Sequence, residues 1–502
     1  MMRESPPPAE SAELPRVLGP IAALCVVVGS VIGSGIFIVP ARVAQSVPSI
    51  GGIAFVWVVG GLFSLAGALT LAELGAMLPR AGGPYVYLRA AYGDLPAFLF
   101  GWTEFLVIRA GSMATLAAAF ALYVAQLVPP PGAVRGEVWQ MAIAATAMAA
   151  VAAVNVAGTE LGGRVQVVGT ALKVAALGAM IVAPFVLGKA HAANLTPVWP
   201  AALDRGTFAG VMLAMVGVLW TYDGWVNTSA LAEEIRDPGR NVPRALGWGM
   251  AVLIAIYLAM TLAYHLVLPL TEVAASATEK GSPRVVAAVY CRRLLGPAGL
   301  ATICLVVSAS TLISLNGNAL SGPRAYFALA RDGHFPRALG RVHPRFQTPA
   351  NAILAQAAWA IALTVAGTAL IVGPAPGPGL PRLVRNLWGA LREKPIYDVM
   401  FAYVIFGGTV IYALTISSVF VLRARRPELP RPYRAWGYPV TPVLYVLASL
   451  LLMGNMLADD RSRSESLAGL GIILLGVPAY WLFSRRATAL TPGRPRLGDS
   501  PR

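Results

Sequence analysis

The residues with the clearest chemical potential lie in one apolar segment, Val28–Pro40, with the sequence VGSVIGSGIFIVP. Its three glycines and two serines weaken a membrane helix, because glycine loses much backbone freedom and gives no side-chain cover. In hydrocarbon, freed N–H and C=O groups are tolerated only where protein buries them or where they line a cavity. The segment therefore predicts an unwound binding site whose N–H groups hold a carboxylate and whose carbonyls hold an ammonium. A small-residue packing face is the alternative, since Gly29 and Gly33 have GxxxG spacing.

A second interruption is predicted at residues 221–224, where the letters TYDG lie within the apolar run of predicted helix six. The two interruptions are five helices apart, so they occupy corresponding positions in two five-helix halves. Interrupted helices at matching positions are typical of inverted-repeat transporters, in which the ligand lies between the breaks at mid-membrane. This pairing favours the unwound interpretation of the first segment over the packing face.

Asp223 places an acid within the second interruption. An ionised acid at mid-membrane costs about 2.5–3.5 kcal/mol or more unless it is paired or hydrated. One interpretation is that Asp223 helps directly to bind a substrate ammonium or a cationic side chain. The other, which we favour from the sequence, is that its carboxylate caps the following half-helix through the free N–H groups.

Lys173 is the most isolated charge in the sequence, near the middle of predicted helix five. At ~1.5 Å per residue it lies roughly 18 Å from either end of that helix, too deep for its side chain to reach water. We therefore expect Lys173 to face a partner or a cavity. A structural ion pair without a transport role is one alternative, and proton coupling through its amine is another.

These residues lie on apolar runs that predict an all-α polytopic membrane protein, because several runs exceed the roughly 18 residues of a spanning helix. We predict twelve transmembrane helices: a five-plus-five inverted repeat with broken helices one and six, followed by two C-terminal helices. The predicted spans are 17–46, 51–78, 95–127, 137–157, 161–187, 207–235, 243–268, 297–328, 349–372, 399–422, 439–458 and 466–484. The predicted divisions are a disordered cytoplasmic tail (1–16), the first repeat (17–187), the second repeat (207–422), helices eleven and twelve (439–484) and a cytoplasmic tail (485–502).

Composition narrows the classes of function. The chain is 57% hydrophobic and 12% charged, with a formal net charge of +16. Because the arginines lie mainly in predicted loops, we assign them to membrane topology and anionic lipid, and we expect no nucleic-acid partner. Their distribution predicts both termini on the cytoplasmic side of a cell membrane. The abundance of Arg, Ala, Gly and Pro suggests a GC-rich bacterial genome, and hence the bacterial inner membrane.

Motifs for other chemistry are missing from the sequence. Cys25, Cys291 and Cys304 show no metal-ligand spacing, and no glycine-rich phosphate loop ends in Lys-Ser or Lys-Thr. No Ser-His-acid set can be assembled. We therefore expect no enzyme activity, no catalytic residue, no metal site and no cofactor.

Five ordered motifs resemble those of the amino acid–polyamine–organocation superfamily, over a stretch from about Leu18 to Trp481. They are GSVIGSGIF in helix one, PRAGGPYVYLRAAYG after helix two, EEIRDPGRNVPRAL after helix six, NGNALSGPRAYFALARDGHFP after helix eight and RPELPRPYRAWGYPVTP between helices ten and eleven. Within the superfamily the sequence is most similar to the L-type amino acid transporters and their bacterial relatives. The resemblance implies a twelve-helix, sodium-independent carrier that moves amino acids, often by exchange.

The resemblance also implies the contacts of a substrate. The N–H groups of Ser34, Gly35 and Ile36 would hold the substrate carboxylate, and the carbonyls of Val31 and Ile32 would face its amine. Trp220 would gate the site, and the backbone carbonyl of Asp223 at the second break would contact the amine.

Two further expectations follow from the resemblance. In sodium-independent relatives a lysine at the position of Lys173 occupies the place of a sodium ion. It would bridge helix one to the stretch Ser308–Ser314 of helix eight, so that a fixed ammonium removes sodium dependence. Animal L-type transporters join a partner glycoprotein through a cysteine in the loop between helices three and four. That loop has no cysteine here, at residues 128–136, and we predict no disulfide-linked heavy chain.

The sequence thus predicts a secondary-active permease or exchanger for neutral L-amino acids, sodium-independent, with alternating access around a site between helices one and six. The nearest alternative is a proton-coupled carrier, or a carrier of cationic amino acids or polyamines aided by Asp223. An amino acid sensor that binds substrate without transporting it is the alternative from a different class.

Overall fold

A computed structural model describes residues 13–277 except 201 and 203, and residues 285–373, 396–458 and 463–489. All regular elements in these ranges are helices, and the β pairing found there is one isolated parallel bridge between Leu18 and Ile235. Ten helical segments are long and apolar enough to span a membrane, and a bent pair of shorter helices makes an eleventh. The predicted class, an all-α polytopic membrane protein, is confirmed.

The helices follow one another along the whole described chain. They are α1 (Pro20–Val31), α2 (Gly35–Ser46), α3 (Ile50–Met77), α4 (Pro84–Tyr92), α5 (Asp94–Thr103), α6 (Arg109–Leu127), α7 (Gly136–Ala157), α8 (Thr159–Val186), α9 (Arg205–Thr221), α10 (Asn227–Ala230), α11 (Pro238–Val267), α12 (Leu270–Ala275), α13 (Val286–Leu295), α14 (Ala298–Ser321), α15 (Pro323–Arg331), α16 (Ala350–Val372), α17 (Ile396–Arg425), α18 (Val440–Ala458) and α19 (Arg463–Ala489). A π-helical turn, Glu104–Ile108, joins α5 to α6.

Proline marks where several of these helices begin. Pro84, Pro238 and Pro323 lie in the first turn of α4, α11 and α15. This position suits proline, because the first N–H groups of a helix have no partner within it and the fixed φ of the ring already fits the helix. The starts of these three helices are therefore encoded locally.

The centre of the molecule is formed by α1, which packs against α8, α11 and α14. Long apolar side chains such as Phe55, Leu172 and Phe208 point outward and are more than half exposed. In water such a surface would be unfavourable, but it matches a bilayer, whose hydrocarbon core solvates apolar side chains. Polar contacts are accordingly concentrated in the interior, where the two predicted breaks meet.

Several predicted boundaries are wrong in detail. Predicted helix six continues to 235, whereas α9 ends at Thr221 and only the four-residue α10 and a 3₁₀ turn follow it. Residues 13–16, assigned to a disordered tail, include a buried Leu14 whose N–H donates to Glu233 Oε1 at 2.9 Å. The predicted C-terminal tail begins at 485, but α19 continues to Ala489. The rest of both tails lies outside the described residues.

Candidate substrate site between two helix breaks

The first break separates α1 from α2 and consists of residues 32–34. The two helices differ in direction by 43°, so the predicted interruption of helix one is present. Within the part of the chain that the structure describes, the N–H groups of Ser34, Gly35 and Ile36 donate to no acceptor. The first N–H groups of a helix lack partners within it and carry its partial positive charge, which suits an anion. The start of α2 is thus available to a carboxylate.

Lys173 of α8 fixes this break against α14. Its Nζ donates to the carbonyls of Gly29 (2.8 Å) and Ile32 (2.7 Å) on the first broken helix. On α14 it donates to the carbonyl of Ser310 (2.9 Å) and to Oγ of Ser314 (3.1 Å). The residue is only 3% exposed, so these four oxygens replace water around the ammonium. The predicted bridge from helix one to helix eight is present.

The two carbonyls predicted to face a substrate amine differ in what occupies them. The carbonyl of Ile32 has Lys173 and two serine hydroxyls of α14, at 2.8 and 3.0 Å, within hydrogen-bond distance. The carbonyl of Val31 has two donors among the described residues, the N–H of Gly33 at 2.8 Å and Tyr257 Oη at 3.1 Å. Because a carbonyl oxygen has two lone pairs, protein donors occupy both carbonyls, and a substrate amine must share or displace one of the two donors at Val31.

The second break follows α9 and packs directly on the first. Residues 222–226 form turns, and Gly224 within them has a φ of +116°. A Cβ at Gly224 would lie 3.3 Å from the carbonyl carbon of Ser30, and a Cβ at Gly35 would lie 2.9 Å from the side chain of Thr221. Glycine is required at both positions, because a side chain would push the two breaks apart.

Trp220 and Asp223 share a small cavity of about 50 Å³ on the side of the second break that faces α17 and α18. Tyr412 and Tyr445 from those helices also line it. Among the described residues, the Asp223 carboxylate makes no hydrogen bond or ion pair with another side chain, although it interacts electrostatically with Arg109. An acid with vacant acceptor positions therefore borders the predicted gate.

The prediction that Asp223 caps the next half-helix is wrong. Helix α10 begins at Asn227, and the residue before it, Val226, makes no side-chain cap. An N-cap residue directly precedes the first helical residue, because its short side chain must reach the second or third N–H. The turn extends through residue 226, so Asp223 lies too early in the chain to do so.

Arg109 and Glu104 of predicted helix three form a buried ion pair. The π-helical turn explains their meeting, because its i→i+5 bond, from the N–H of Arg109 to the carbonyl of Glu104, aligns side chains five residues apart. The Arg109 guanidinium also donates to Oδ1 of Asn227. Since Asn227 starts α10, this buried pair holds the second break to helix three.

Tyr257 of α11 was missed by sequence reasoning. Its Oη lies 3.1 Å from the Val31 carbonyl and 3.0 Å from the Thr221 carbonyl, so one hydroxyl touches both breaks. Its ring packs against Trp57, with centroids 5.6 Å apart. The available signal was a tyrosine inside an apolar helix, because a buried phenol needs a hydrogen-bond partner.

One face of the site is closed by a buried ion pair. Arg324 of α15 donates to both carboxylate oxygens of Glu234, at 2.8 and 2.9 Å, and neither side chain is exposed. Thr159, at the start of α8, donates to the same carboxylate at 2.7 Å. Next to it, the N–H of Leu18 donates to the Glu234 carbonyl at 2.9 Å. The chain before α1 is thus joined to the chain after α10.

Glu233 closes the same face from the other side. Its carboxylate accepts from the N–H groups of Leu14 and Ala81, each at 2.9 Å, and pairs with Arg331 at 3.1 Å. The carboxylate of Glu233, at the end of predicted helix six, therefore makes specific contacts that join four segments. These contacts lie on the face where the predicted loops are richest in arginine.

The motifs quoted above after helices two and eight meet at this face. Tyr85 donates to Asp332 at 2.8 Å, and Arg89 pairs with the same carboxylate. Burial, together with the charge of Asp332, raises the pKa of the Tyr85 phenol, so Tyr85 remains the donor. The contact joins α4 to the end of α15.

Comparison with known proteins agrees with this arrangement. The sequence matches the amino acid permease family profile over residues 18–477. It is 31% identical to the human b(0,+)-type amino acid transporter 1 over 483 residues, covering 94% of this chain and 89% of that protein. It is 30% identical to the Bacillus subtilis serine/threonine exchanger SteT over 481 residues, covering 95% and 99%.

A third relative broadens the range of transported molecules in the family. The human cystine/glutamate transporter is 27% identical over 485 residues, covering 96% of this chain and 87% of that protein. These relatives are named as transporters or exchangers, and the family profile covers nearly the whole sequence. The chain belongs to the amino acid permease family of the amino acid–polyamine–organocation superfamily, among relatives of the L-type transporters.

Proposed function

We propose that this protein is a sodium-independent secondary-active transporter of neutral L-amino acids, working by exchange or facilitated diffusion. The substrate binds between the two helix breaks. Its carboxylate accepts from the N–H groups of Ser34, Gly35 and Ile36, and its amine contacts the carbonyls of Val31 and Asp223. Trp220 gates the site.

The observation that carries this proposal is the environment of Lys173. Its ammonium is surrounded by the oxygens of Gly29, Ile32, Ser310 and Ser314, and oxygen ligands are those that a hard metal cation prefers. A covalently attached cation in this position supplies the charge that binds helix one to helix eight. No dissolved ion is then needed to complete the site.

Transport proceeds by alternating access. The two breaks and Lys173 form the fixed centre, whereas the contacts of Glu233 and Glu234 close the arginine-rich face and must separate for release on that side. Substrate shifts the populations of the outward-open, occluded and inward-open states through its different contacts in each. We place the arginine-rich face and both termini in the cytoplasm of a bacterial cell, following the distribution of Arg and Lys.

The architecture behind this mechanism is a twelve-helix bundle with a five-plus-five inverted repeat. The bent pair α1–α2 and the interrupted segment α9–α10 serve as helices one and six. A cysteine is missing from the loop 128–136, so we propose a carrier that works without a disulfide-linked heavy chain.

Flux into proteoliposomes tests the proposal. We expect uptake of a labelled neutral amino acid to be saturable, to increase with unlabelled amino acid inside, and to be equal in sodium and choline buffers. Sodium-stimulated uptake would contradict the role of Lys173. Saturable binding without flux would favour the sensor.

A second candidate function rests on Asp223. Its carboxylate has no side-chain hydrogen-bond partner among the described residues and borders the cavity beside Trp220. Such a group suits a cationic amino acid, a polyamine or a coupled proton. An imposed pH gradient and a competition panel containing lysine, arginine and a polyamine distinguish these substrates and coupling modes from the neutral exchanger.

A further inference from the structure

A wide groove lies outside the substrate site, on the arginine-rich face. It has a volume of about 820 Å³ and is open to the surface. One wall is the first part of α11, another is Leu69 of α3, and the third is formed by Pro432 and Tyr433 in the segment between α17 and α18. Nothing in the transport mechanism above uses this groove.

The α11 wall changes from charged to apolar along one helix face. Arg240, Arg244, Trp248 and Ala251 follow one another at spacings of three or four residues, so they share a face of the helix. At ~1.5 Å per residue, the stripe from Arg240 to Ala251 is roughly 16 Å long. Trp248 is 69% exposed, as expected for a ring at the boundary between headgroups and acyl chains.

The two arginines of this stripe are free to bind a ligand. Among the described residues, neither guanidinium has a hydrogen-bond or ion-pair partner, and both side chains are exposed. Asp237 is the acid that lines the same groove, so the lining carries a net positive charge. Elsewhere on this face, arginines such as Arg324 and Arg331 are paired with carboxylates.

The opposite wall is held in place by a buried carboxylate. Glu73 at the end of α3 is fully buried and accepts from Arg423 at 2.6 and 2.9 Å and from the N–H of Ala435 at 2.6 Å. Ala435 closely follows Pro432 and Tyr433, so Glu73 anchors the wall to α3. The groove is therefore built before any ligand arrives.

We propose that this groove binds a net-anionic glycerophospholipid. The phosphodiester accepts from Arg240 and Arg244, because guanidinium groups bind phosphate oxygens with strong charge-assisted bonds. The acyl chain continues past Trp248 and Ala251 toward the hydrocarbon. With the arginine-rich face in the cytoplasm, the lipid belongs to the inner leaflet, whose anionic headgroups attract basic segments. This site does not depend on the identity of the transported substrate.

Native mass spectrometry of the purified full-length protein tests the site. The probes are phosphatidylglycerol, phosphatidylcholine and inorganic phosphate, each added in increasing amounts. We expect one tightly retained phosphatidylglycerol on the wild type and a loss of at least tenfold in its affinity in the variant R240Q/R244Q. The matched control R80Q/R341Q removes two exposed, unpaired arginines of the same face and should retain the lipid. A similar loss in both variants would overturn the site.

The other probes identify the source of the phosphate. Equal retention of phosphatidylcholine would overturn the selection for net negative charge, and full displacement by inorganic phosphate would point to a free anion instead of a lipid. Position is measured by quenching of tryptophan fluorescence with phosphatidylglycerol brominated on its acyl chain. We expect the W248F variant to lose a quenched component that R80Q/R341Q retains. Unchanged quenching in W248F would place the lipid elsewhere. Thermal unfolding of each variant verifies that it is folded.

Discussion

The two helix breaks are built from different chemistry. At the first break, protein donors already occupy the backbone carbonyls: Lys173 and the serines of α14 saturate Ile32. Among the described residues, the N–H groups of Ser34, Gly35 and Ile36 have no acceptor. At the second break, an acid borders a cavity, and among the described residues no side-chain donor occupies it. The first break thus offers N–H groups to an anion, while its carbonyls are already occupied. The second break offers the carboxylate of Asp223 to a cation.

This difference indicates a division of labour. In the proposed mechanism, the first break is a rigid receptor for the part that every α-amino acid shares, its carboxylate, because its geometry is fixed by an internal cation. The second break, with Asp223 and Trp220 beside a small cavity, is where we propose that substrates with different charges are distinguished. Substitutions at four residues test this comparison of the two breaks.

Replacing Lys173 with alanine should have the largest effect. It removes the donor shared by Gly29, Ile32 and Ser310, and unsatisfied buried groups cost about 1–3 kcal/mol each. We expect exchange flux to fall by roughly 100-fold, which corresponds to ~2.8 kcal/mol, and the fall should be measured in proteoliposomes with equal amounts of inserted protein.

The control for this variant is Lys189→Ala. Lys189 donates to the carbonyls of Arg293 and Leu294 at 2.9 and 3.0 Å, far along the chain from both breaks. The Lys189→Ala variant loses the same charge and should transport normally. Full activity in Lys173→Ala would mean that the first break does not need its internal cation.

Gly224→Ala should have the next largest effect. The new methyl group would meet the backbone at Ser30, 3.3 Å away, in a residue whose φ of +116° is unfavourable for alanine. Such strain costs of order 1–3 kcal/mol, so we expect substrate affinity to fall by about tenfold, as measured by competition binding. Gly178→Ala is the control, since a Cβ there meets nothing within 4 Å. Wild-type affinity in Gly224→Ala would show that the breaks need not touch.

Tyr257→Phe removes the hydroxyl that lies against both breaks. A hydrogen bond of this kind contributes about 0.5–1.5 kcal/mol, and we expect a roughly fivefold decrease in the maximal flux, which is about 1 kcal/mol. Tyr92→Phe is the matched change, because Tyr92 forms its hydroxyl contact with Ser417 instead, at 2.8 Å. Equal effects in the two variants would argue against a specific bridge.

Asp223→Asn should have the smallest effect on neutral amino acids, because it keeps the backbone carbonyl and the side-chain shape while it removes the charge. We expect neutral uptake to stay within about threefold of the wild type, less than 1 kcal/mol. Any uptake of lysine, arginine or a polyamine should be lost. A collapse of neutral uptake would show that the carboxylate serves the shared part of the substrate, and the division between the breaks would be wrong.

The sequence predicts the positions of both breaks and of Lys173 because these depend on local composition. In a membrane, a glycine-rich break and a lysine far from either end of a helix are both tolerated only where protein buries them or where they line a cavity. The detail around them could not be predicted in the same way. The cap predicted for Asp223 is absent because the turn extends through residue 226, and Gly224 within this turn packs on Ser30, a residue far away in the chain.

Other features depend on distant partners in the same manner. The bridging hydroxyl of Tyr257, the saturation of the Ile32 carbonyl and the contact of Arg109 with Asn227 each join residues more than a hundred positions apart. A π-helical turn at 104–108 likewise leaves little trace in composition. Local pattern therefore finds the interrupted helices, whereas the occupancy of each carbonyl requires the folded structure.

The most direct measurement is an experimental structure of the protein with a neutral amino acid bound. We predict that the substrate carboxylate lies within hydrogen-bond distance of the N–H groups of Ser34, Gly35 and Ile36, while Lys173 keeps its contacts to Gly29 and Ile32. A bound amino acid elsewhere in the bundle, or a first helix that runs unbroken through residues 32–34, would contradict the account.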